Sequence, residues 1–169
     1  MENLVIRPAC KEDAAALLAY VNATAGESDN LSFGLNEFEM TVEQEEAFLE
    51  KVQKTPDSTY LIGVADGEII CAGNLNAHVR KRFAHKCSIG MSVRKAYWGQ
   101  GVGYALLRAL IDFAKSTGTL ELMHLEVRAD NERAIALYKK AGFVETGRFP
   151  KDIKINGEYF DALFMVLHL

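Results

Sequence analysis

Between Val93 and Ala105 three glycines alternate with other residues, as Gly99-Gln100-Gly101-Val102-Gly103, where a strand-like run gives way to a helical one. Glycines at a helix start let the backbone approach a ligand closely, and the first amides of the helix are left unpaired and point at it. Added to the positive end of the helix dipole, such a turn is an anion site suited to a pyrophosphate. The order lacks the Gly-Lys-Ser/Thr of a P-loop, and Leu106 stands where a dinucleotide-binding G-x-G-x-x-G needs its third glycine. Taken by itself, the segment also reads as a glycine-rich turn without a ligand. Arg94 and Lys95, just ahead of it, either attract a phosphate or are merely solvated.

A second segment follows, Asn131-Glu132-Arg133-Ala134-Ile135-Ala136-Leu137-Tyr138-Lys139-Lys140-Ala141-Gly142-Phe143. With both segments in this order and spacing, the chain resembles the GCN5-related N-acetyltransferase (GNAT) superfamily, in the manner of its small bacterial members. The first segment resembles the acyl-CoA loop, Gln/Arg-x-x-Gly-x-Gly/Ala, and the second the motif Asn-x-x-Ala-x-x-Leu-Tyr-x-x-x-Gly-Phe. The likeness is strong from Lys86 to Phe143, and the order of elements is compatible from Leu4 to the end. Trp98 departs from the motif, which usually has Gln or Arg there, although Tyr-Trp-Gly-Gln-Gly is a familiar bacterial variant. The resemblance implies acetyl-CoA as co-substrate. It places the acetyl-CoA contacts at Met91, Ser92, Val93, Trp98, Gly99, Gln100, Gly101, Val102, Gly103, Asn131, Ala134 and Tyr138.

Those residue types suit the chemistry. A thioester is already activated toward amines, so an enzyme has to position two reactants, remove a proton from an ammonium and help a thiolate leave. Amides at a splayed strand end around Met91 to Val93 would bind pantetheine and polarise the thioester oxygen, as an oxyanion hole does. In the family the corresponding tyrosine often protonates the thiolate, which makes Tyr138 the general acid; its alternative is a core aromatic. A phenol near pKa 10 facing a thiol near 8.5 donates once the thiolate is formed in the site. Glu126 interrupts the apolar run Leu125-Glu126-Val127, and a carboxylate there is costly unless paired. With Tyr138 it resembles the glutamate and tyrosine pair of ribosomal-protein alanine N-acetyltransferases. It is a candidate general base, or else a structural partner of Arg128. No acid occurs from Lys86 to Val93, where some relatives place their base, so a water relayed from Glu37, Glu39 or Asp161 is the next candidate.

The elements that must position these groups follow from periodicity. Leu4 to Arg7 reads as a strand and Lys11 to Ala25 as a helix stopped by Gly26. Thr41-Val42-Glu43-Gln44 fits a capping box, which opens a helix running to about Lys54. Thr59 to Ala65 and Glu68 to Val79 are strands joined at Asp66-Gly67, the dipeptide that supplies the positive φ of a two-residue hairpin loop. Lys86 to Val93 is the next strand. A helix of about 15 residues follows the glycines, with Leu106, Leu107, Leu110, Ile111 and Ala114 on one face and Gly118 as its stop. Glu121 to Val127 is a strand, Asn131 to Ala141 a helix, Phe143 to Arg148 a strand, and Tyr159 to Leu167 the last strand after a hairpin at Asn156-Gly157. The order implies an α/β fold, a mixed central β-sheet flanked by helices on both faces, in a single domain spanning 1–169.

The chain has 169 residues and a net charge of -4, and its acids are concentrated. From Glu12 to Glu50 there are acids and no Lys or Arg, so the rest of the chain is net basic. This split argues against a nucleic-acid surface over the whole molecule. In the family this region borders the acceptor, so Glu27, Glu37 and Glu39 are expected to help select a cationic amine; the alternative is a solvated helix face. Cys10, Cys71 and Cys87 form no C-x-x-C pair and read as buried free thiols. His78, His85, His124 and His168 are not spaced as ligands, so no metal is expected. Neither a signal peptide nor a membrane span is suggested, which leads to a cytoplasmic expectation. The expected partners are acetyl-CoA and an amine, and a homodimer is compatible. Three functions stand: acetylation of a small or amino-acid-like amine, acetylation of a protein N-terminus, and acyl-CoA binding without turnover. Retention of Asn131 and Tyr138 speaks against the third.

Overall fold

A computed structural model describes residues 3–169. Seven strands form one sheet: β1 (Val5–Pro8), β2 (Thr59–Ala65), β3 (Glu68–Ala77), β4 (Lys86–Val93), β5 (Leu122–Arg128), β6 (Val144–Ile155) and β7 (Glu158–His168). Their spatial order is β1-β2-β3-β4-β5-β7-β6. The two tight turns lie where the dipeptides put them. Asp66 and Gly67 have φ of 51° and 83°, and Asn156 and Gly157 have 50° and 89°.

Side chains alternate across the sheet, so each strand feeds two layers. Against one face lies α3 (Val102–Thr117), which buries the predicted stripe Leu106, Leu107, Leu110, Ile111 and Ala114 against Leu61, Leu75, Met123 and Leu125. From α4 (Glu132–Lys140), Tyr138 joins the same core. The other face carries α1 (Ala14–Ala25) and α2 (Val42–Lys54), whose Leu17, Tyr20 and Leu49 pack with Ile62 and Ala72. The Thr41 capping box forms in full: its hydroxyl accepts from the Gln44 amide at 3.3 Å, and its own amide donates to the Gln44 side chain at 2.9 Å.

β4 and β5 make the sheet's parallel pair, and they pair only over Lys86–Ser88 and Leu122–His124. Beyond that point each stays bound to its outer neighbour, β4 to β3 as far as Val93 and β5 to β7 as far as Arg128. The sheet therefore parts down its middle toward the glycine turn. No helix among the described residues is long and apolar enough to cross a membrane.

Several expectations shift in detail. The segment expected to open as a helix at Lys11 begins with a 3₁₀ turn, Lys11–Asp13, because Asp13 accepts two bonds from Arg7, at 2.7 and 2.8 Å, and one from the Cys10 amide. β3 ends at Ala77 rather than Val79. β6 continues past Arg148 to Ile155, through register breaks that leave Lys151 at φ 57°. Cys71 and Cys87 are buried, with thiols pushed up to about 12 by burial, whereas Cys10 is only partly covered. Its place at the end of β1, in the turn anchored by Asp13, keeps it near the surface.

Leu110 lies at the centre of the α3 layer, fully buried over Gly73. A Leu110→Ala chain is expected to lose about 2–5 kcal/mol in urea unfolding, from lost transfer energy and an incompletely filled cavity. A loss under 1 kcal/mol would mean that α3 is not seated there.

Candidate active site

The glycine turn is built as its sequence requires. Gly99 and Gly101 adopt φ of 75° and 83°, in the left-handed region, and Gly101 is the N-cap of α3. A Cβ added at either would meet nothing within 4 Å, so open space stands over the turn. A depression of about 460 Å³ runs along Gln100, Gly101, Val102 and Ala105 to Leu4 and Ile6. A helix N-terminus with free amides and unfilled space fits a pyrophosphate. Gly103 is different: a Cβ there would lie 3.5 Å from Leu137, 3.6 Å from Val93 and 3.8 Å from Met91, in ordinary contact with α4 and β4 rather than in open space.

Side chains around the turn hold it rather than reach outward. Trp98 Nε1 donates to the Val93 carbonyl at 2.8 Å, and the Arg133 guanidinium stacks 3.6 Å over the indole. Gln100 donates to the Ala96 carbonyl at 2.8 Å, and Val102 is buried in the core. What Trp98, Gln100 and Val102 can offer a phosphate is therefore backbone. Asn131 caps α4, its side-chain oxygen accepting from the Ala134 amide at 3.2 Å, so these two motif residues fix the helix carrying Tyr138. Ser92 is tied by its hydroxyl to Tyr20 at 2.9 Å, and Met91 and Val93 pack toward α3.

Tyr138 is 8% exposed, 5.8 Å from the Phe143 ring, and burial pushes its phenol up to about 12. That burial keeps the phenol protonated and makes it a weaker acid than an exposed one, and no hydrogen bond holds its hydroxyl among the described residues. Glu126 stands in a different setting from the one its sequence suggests. It points to the face opposite Leu125 and Val127 and is exposed, so no burial penalty arises. Arg128, its sequence-based partner, is instead bound to Asp130 at 2.9 and 2.6 Å, donates to the Asp29 carbonyl at 2.9 Å and stacks on Phe160. Glu126 makes no ion pair or hydrogen bond among the described residues.

Several acids of the acidic segment have structural partners. Glu27 accepts from Arg94 at 2.8 Å and from the Lys95 amide at 2.6 Å, tying the end of α1 to the turn beyond β4. Burial opposes its ionisation, but these bonds outweigh it and lower its pKa. Glu27 and Arg94 thus serve each other as structural partners, each oxygen of Glu27 accepting one bond. Glu37 folds back onto the Gly34 amide at 2.8 Å, and Glu39 is exposed. Asp161 is engaged by Arg148 and the Lys151 amide. Sequence reasoning missed the Glu27 clamp and the stacking of Arg133 on Trp98. Each joins residues remote in sequence, and the only available signal was opposite charge or a cation with an aromatic.

The sequence profile described as Acetyltransferase (GNAT) family matches residues 28–143. The L-amino acid N-acetyltransferase AaaT of Escherichia coli is 31% identical over 116 residues, covering 69% of this chain and 72% of that protein. The N-alpha-acetyltransferase RimI of Mycobacterium tuberculosis is 40% identical over 67 residues, 40% of each chain. Among solved structures, an acetyltransferase of GNAT family from Streptococcus pneumoniae is similar with a TM-score of 0.96 at 32% identity, over 98% of this chain and 99% of that one.

Replacing Gly101 by Ala puts a methyl into the open space at a φ that costs an L-residue about 1–2 kcal/mol. Affinity for acetyl-CoA in calorimetry should fall by about tenfold or more while the protein still unfolds cooperatively. Unchanged affinity would misplace the cradle.

Proposed function

The chain belongs to the acetyltransferase (GNAT) family, and from that membership we infer that it moves the acetyl group of acetyl-CoA, by direct attack, to the primary amine of a small or amino-acid-like acceptor. It is an acetyl-CoA-dependent acetyltransferase. The observation that carries the reading is the parting of β4 and β5 beside the glycine turn, with Glu126 and Tyr138 on the elements that border it.

Acetyl-CoA supplies a thioester whose acyl carbon is already electrophilic. The chain's part is to hold it and to move two protons. Gly99 to Gly103 offer backbone amides to the pyrophosphate, and the edge of β4 from Met91 to Val93, freed from β5, offers its backbone to pantetheine. Glu126 takes a proton from the ammonium as the amine nitrogen bonds to the acyl carbon. As the carbon–sulfur bond breaks, Tyr138 gives its proton to the departing thiolate, and the second N–H proton of the adduct returns to the Tyr138 phenolate, directly or through water, which leaves a neutral amide. Of the other candidates for the base, Glu37 and Asp161 are already occupied by the Gly34 amide and by Arg148.

The name of the Escherichia coli relative, an L-amino acid N-acetyltransferase, supports an amino-acid-like acceptor. A second reading, acetylation of a protein N-terminus, is favoured by the sequence resemblance of Glu126 and Tyr138 to a glutamate and tyrosine pair, although the two lie on opposite faces of the sheet, and by the local likeness to an N-alpha-acetyltransferase. Either activity belongs in the cytoplasm, where acetyl-CoA is supplied. Thiol release measured over free amino acids, polyamines and short peptides separates the two. Turnover of free amino acids is expected. Turnover confined to peptides would transfer the conclusion to the second reading, and acetyl-CoA binding without release under any amine would overturn both.

Two substitutions test the proton movements. Tyr138→Phe should lower kcat by about 10²-fold or more with acetyl-CoA affinity little changed, as general acid catalysis requires. Glu126→Gln should lower kcat/KM for the amine by a similar factor. Full activity in either variant, with chemistry rate-limiting, removes that residue from the mechanism.

A further inference from the structure

On the sheet face away from α3, alternate side chains form rows across the strands. Register places Asn76 beside Ser88 and Ser88 beside His124. Two residues further along each strand stand Asn74, Gly90 and Glu126 on the same face. The helices α1 and α2 cover this face over Ile62 and Ala72 but leave Asn76, Gly90 and Glu126 exposed. The floor beside Glu126 is thus open, polar and accessible to an acceptor.

In the direction away from the glycine turn, this floor ends in nitrogen donors and cations. Lys86 precedes Ser88 by two residues on β4, and its carbonyl accepts from the His78 amide at 3.3 Å. The rings of His78 and His124 stack with centroids 6.1 Å apart and planes at 24°. Lys86 Nζ lies 4.7 Å over Phe83, and neither it nor Arg80, Lys81 or Arg82 makes an ion pair among the described residues. The Nε2 atom of His124 is buried and has no hydrogen-bond partner. Burial, then Lys86 and His78, hold His124 below its ordinary pKa, so at neutral pH it offers one N–H rather than a charge. From Glu68 to Asp112 the sequence carries no acid between them. A buried nitrogen without a partner, beside a lysine without a counter-ion, is the arrangement an anion completes.

We propose that Lys86, His78 and His124 form a subsite for an acid group, carboxylate or phosphate, that the acceptor carries several bonds away from its amine. The proposal rests on the acetyltransferase reading above. Along β5, His124 is one strand repeat from Glu126, about 7 Å, and the Lys86 level is about 13 Å from it. An α-carboxylate next to the amine is too close to span this. The acid of an acidic side chain, or the terminal carboxylate of a dipeptide, has the reach. The site then reads the acceptor as a dipole, with its amine at Glu126 and its acid about 7 Å away at the level of His124, toward which the flexible Lys86 side chain reaches.

Initial rates of thiol release with 5-aminopentanoate, 5-aminopentanamide and glycine test this. With the parent protein, kcat/KM for 5-aminopentanoate should exceed that for the amide and for glycine by about tenfold or more, the size of a charge-assisted hydrogen bond. In Lys86→Gln the carboxylate-to-amide ratio should fall toward one through a raised KM for the carboxylate. 4-Aminobutylphosphonate in the same assay distinguishes the acid: a larger preference than for the carboxylate identifies a phosphate-like group, and a smaller one a carboxylate. A carboxylate-to-amide ratio near one in the parent, or a ratio that survives both Lys86→Gln and His78→Gln, overturns the subsite alone. Absence of turnover with every amine, acetyl-CoA still binding, overturns the acetyltransferase reading instead.

Discussion

Everything in this molecule that can do chemistry depends on β4 and β5 ceasing to pair after Ser88 and His124. Two strands that diverge leave backbone donors and acceptors without partners, and buried backbone groups in that state are costly unless something pairs with them. The fold bears that cost at its centre because the outer ladders hold: β3 grips β4 to Val93, and β7 grips β5 to Arg128. The opening therefore lies between two well-bonded half-sheets, and a ligand with its own amides, such as pantetheine, suits its edges.

The rest of the structure supports that opening from outside. The α3 layer seats β3 and β4 through Leu110, its start at Gly103 lies against Val93 and Leu137, and α4 brings Tyr138 into the same core. Glu27 fastens the end of α1 to the turn after β4, and Trp98 fastens the glycine turn to Val93. On the other half-sheet, Arg128 reaches through Asp130 and the Asp29 carbonyl to hold the long connection between α1 and α2. These clamps hold both sides of the opening.

Much of this was legible in the sequence because it is local. The positive φ of Asp66-Gly67, the capping box at Thr41 and the stripe along α3 each follow from a few neighbouring residues. The glycine turn and the Asn131 segment were legible together as a resemblance. What depended on strand facing was not. Glu126 looked like a buried acid because Leu125 and Val127 flank it, yet alternation turns it to an open face. The acids from Glu12 to Glu50 read as one wall in the sequence, but Glu27 pairs with Arg94, Glu37 bonds within its own turn, and Glu45 is buried on α2. A one-dimensional charge count cannot separate these fates, since each is decided by a partner far along the chain.

Amide hydrogen exchange, with and without acetyl-CoA, tests the account most directly, because the freed edge of β4 and the start of α3 are the backbone said to hold it. On addition of acetyl-CoA, the amides of Ile89, Met91 and Val93, which face away from β3, and those from Gly99 to Gly103 should gain protection together, while those of β1, β2 and α2 should change little. Protection gained elsewhere, with these two stretches exchanging as before, would contradict the placement of the cofactor in the opening of the sheet.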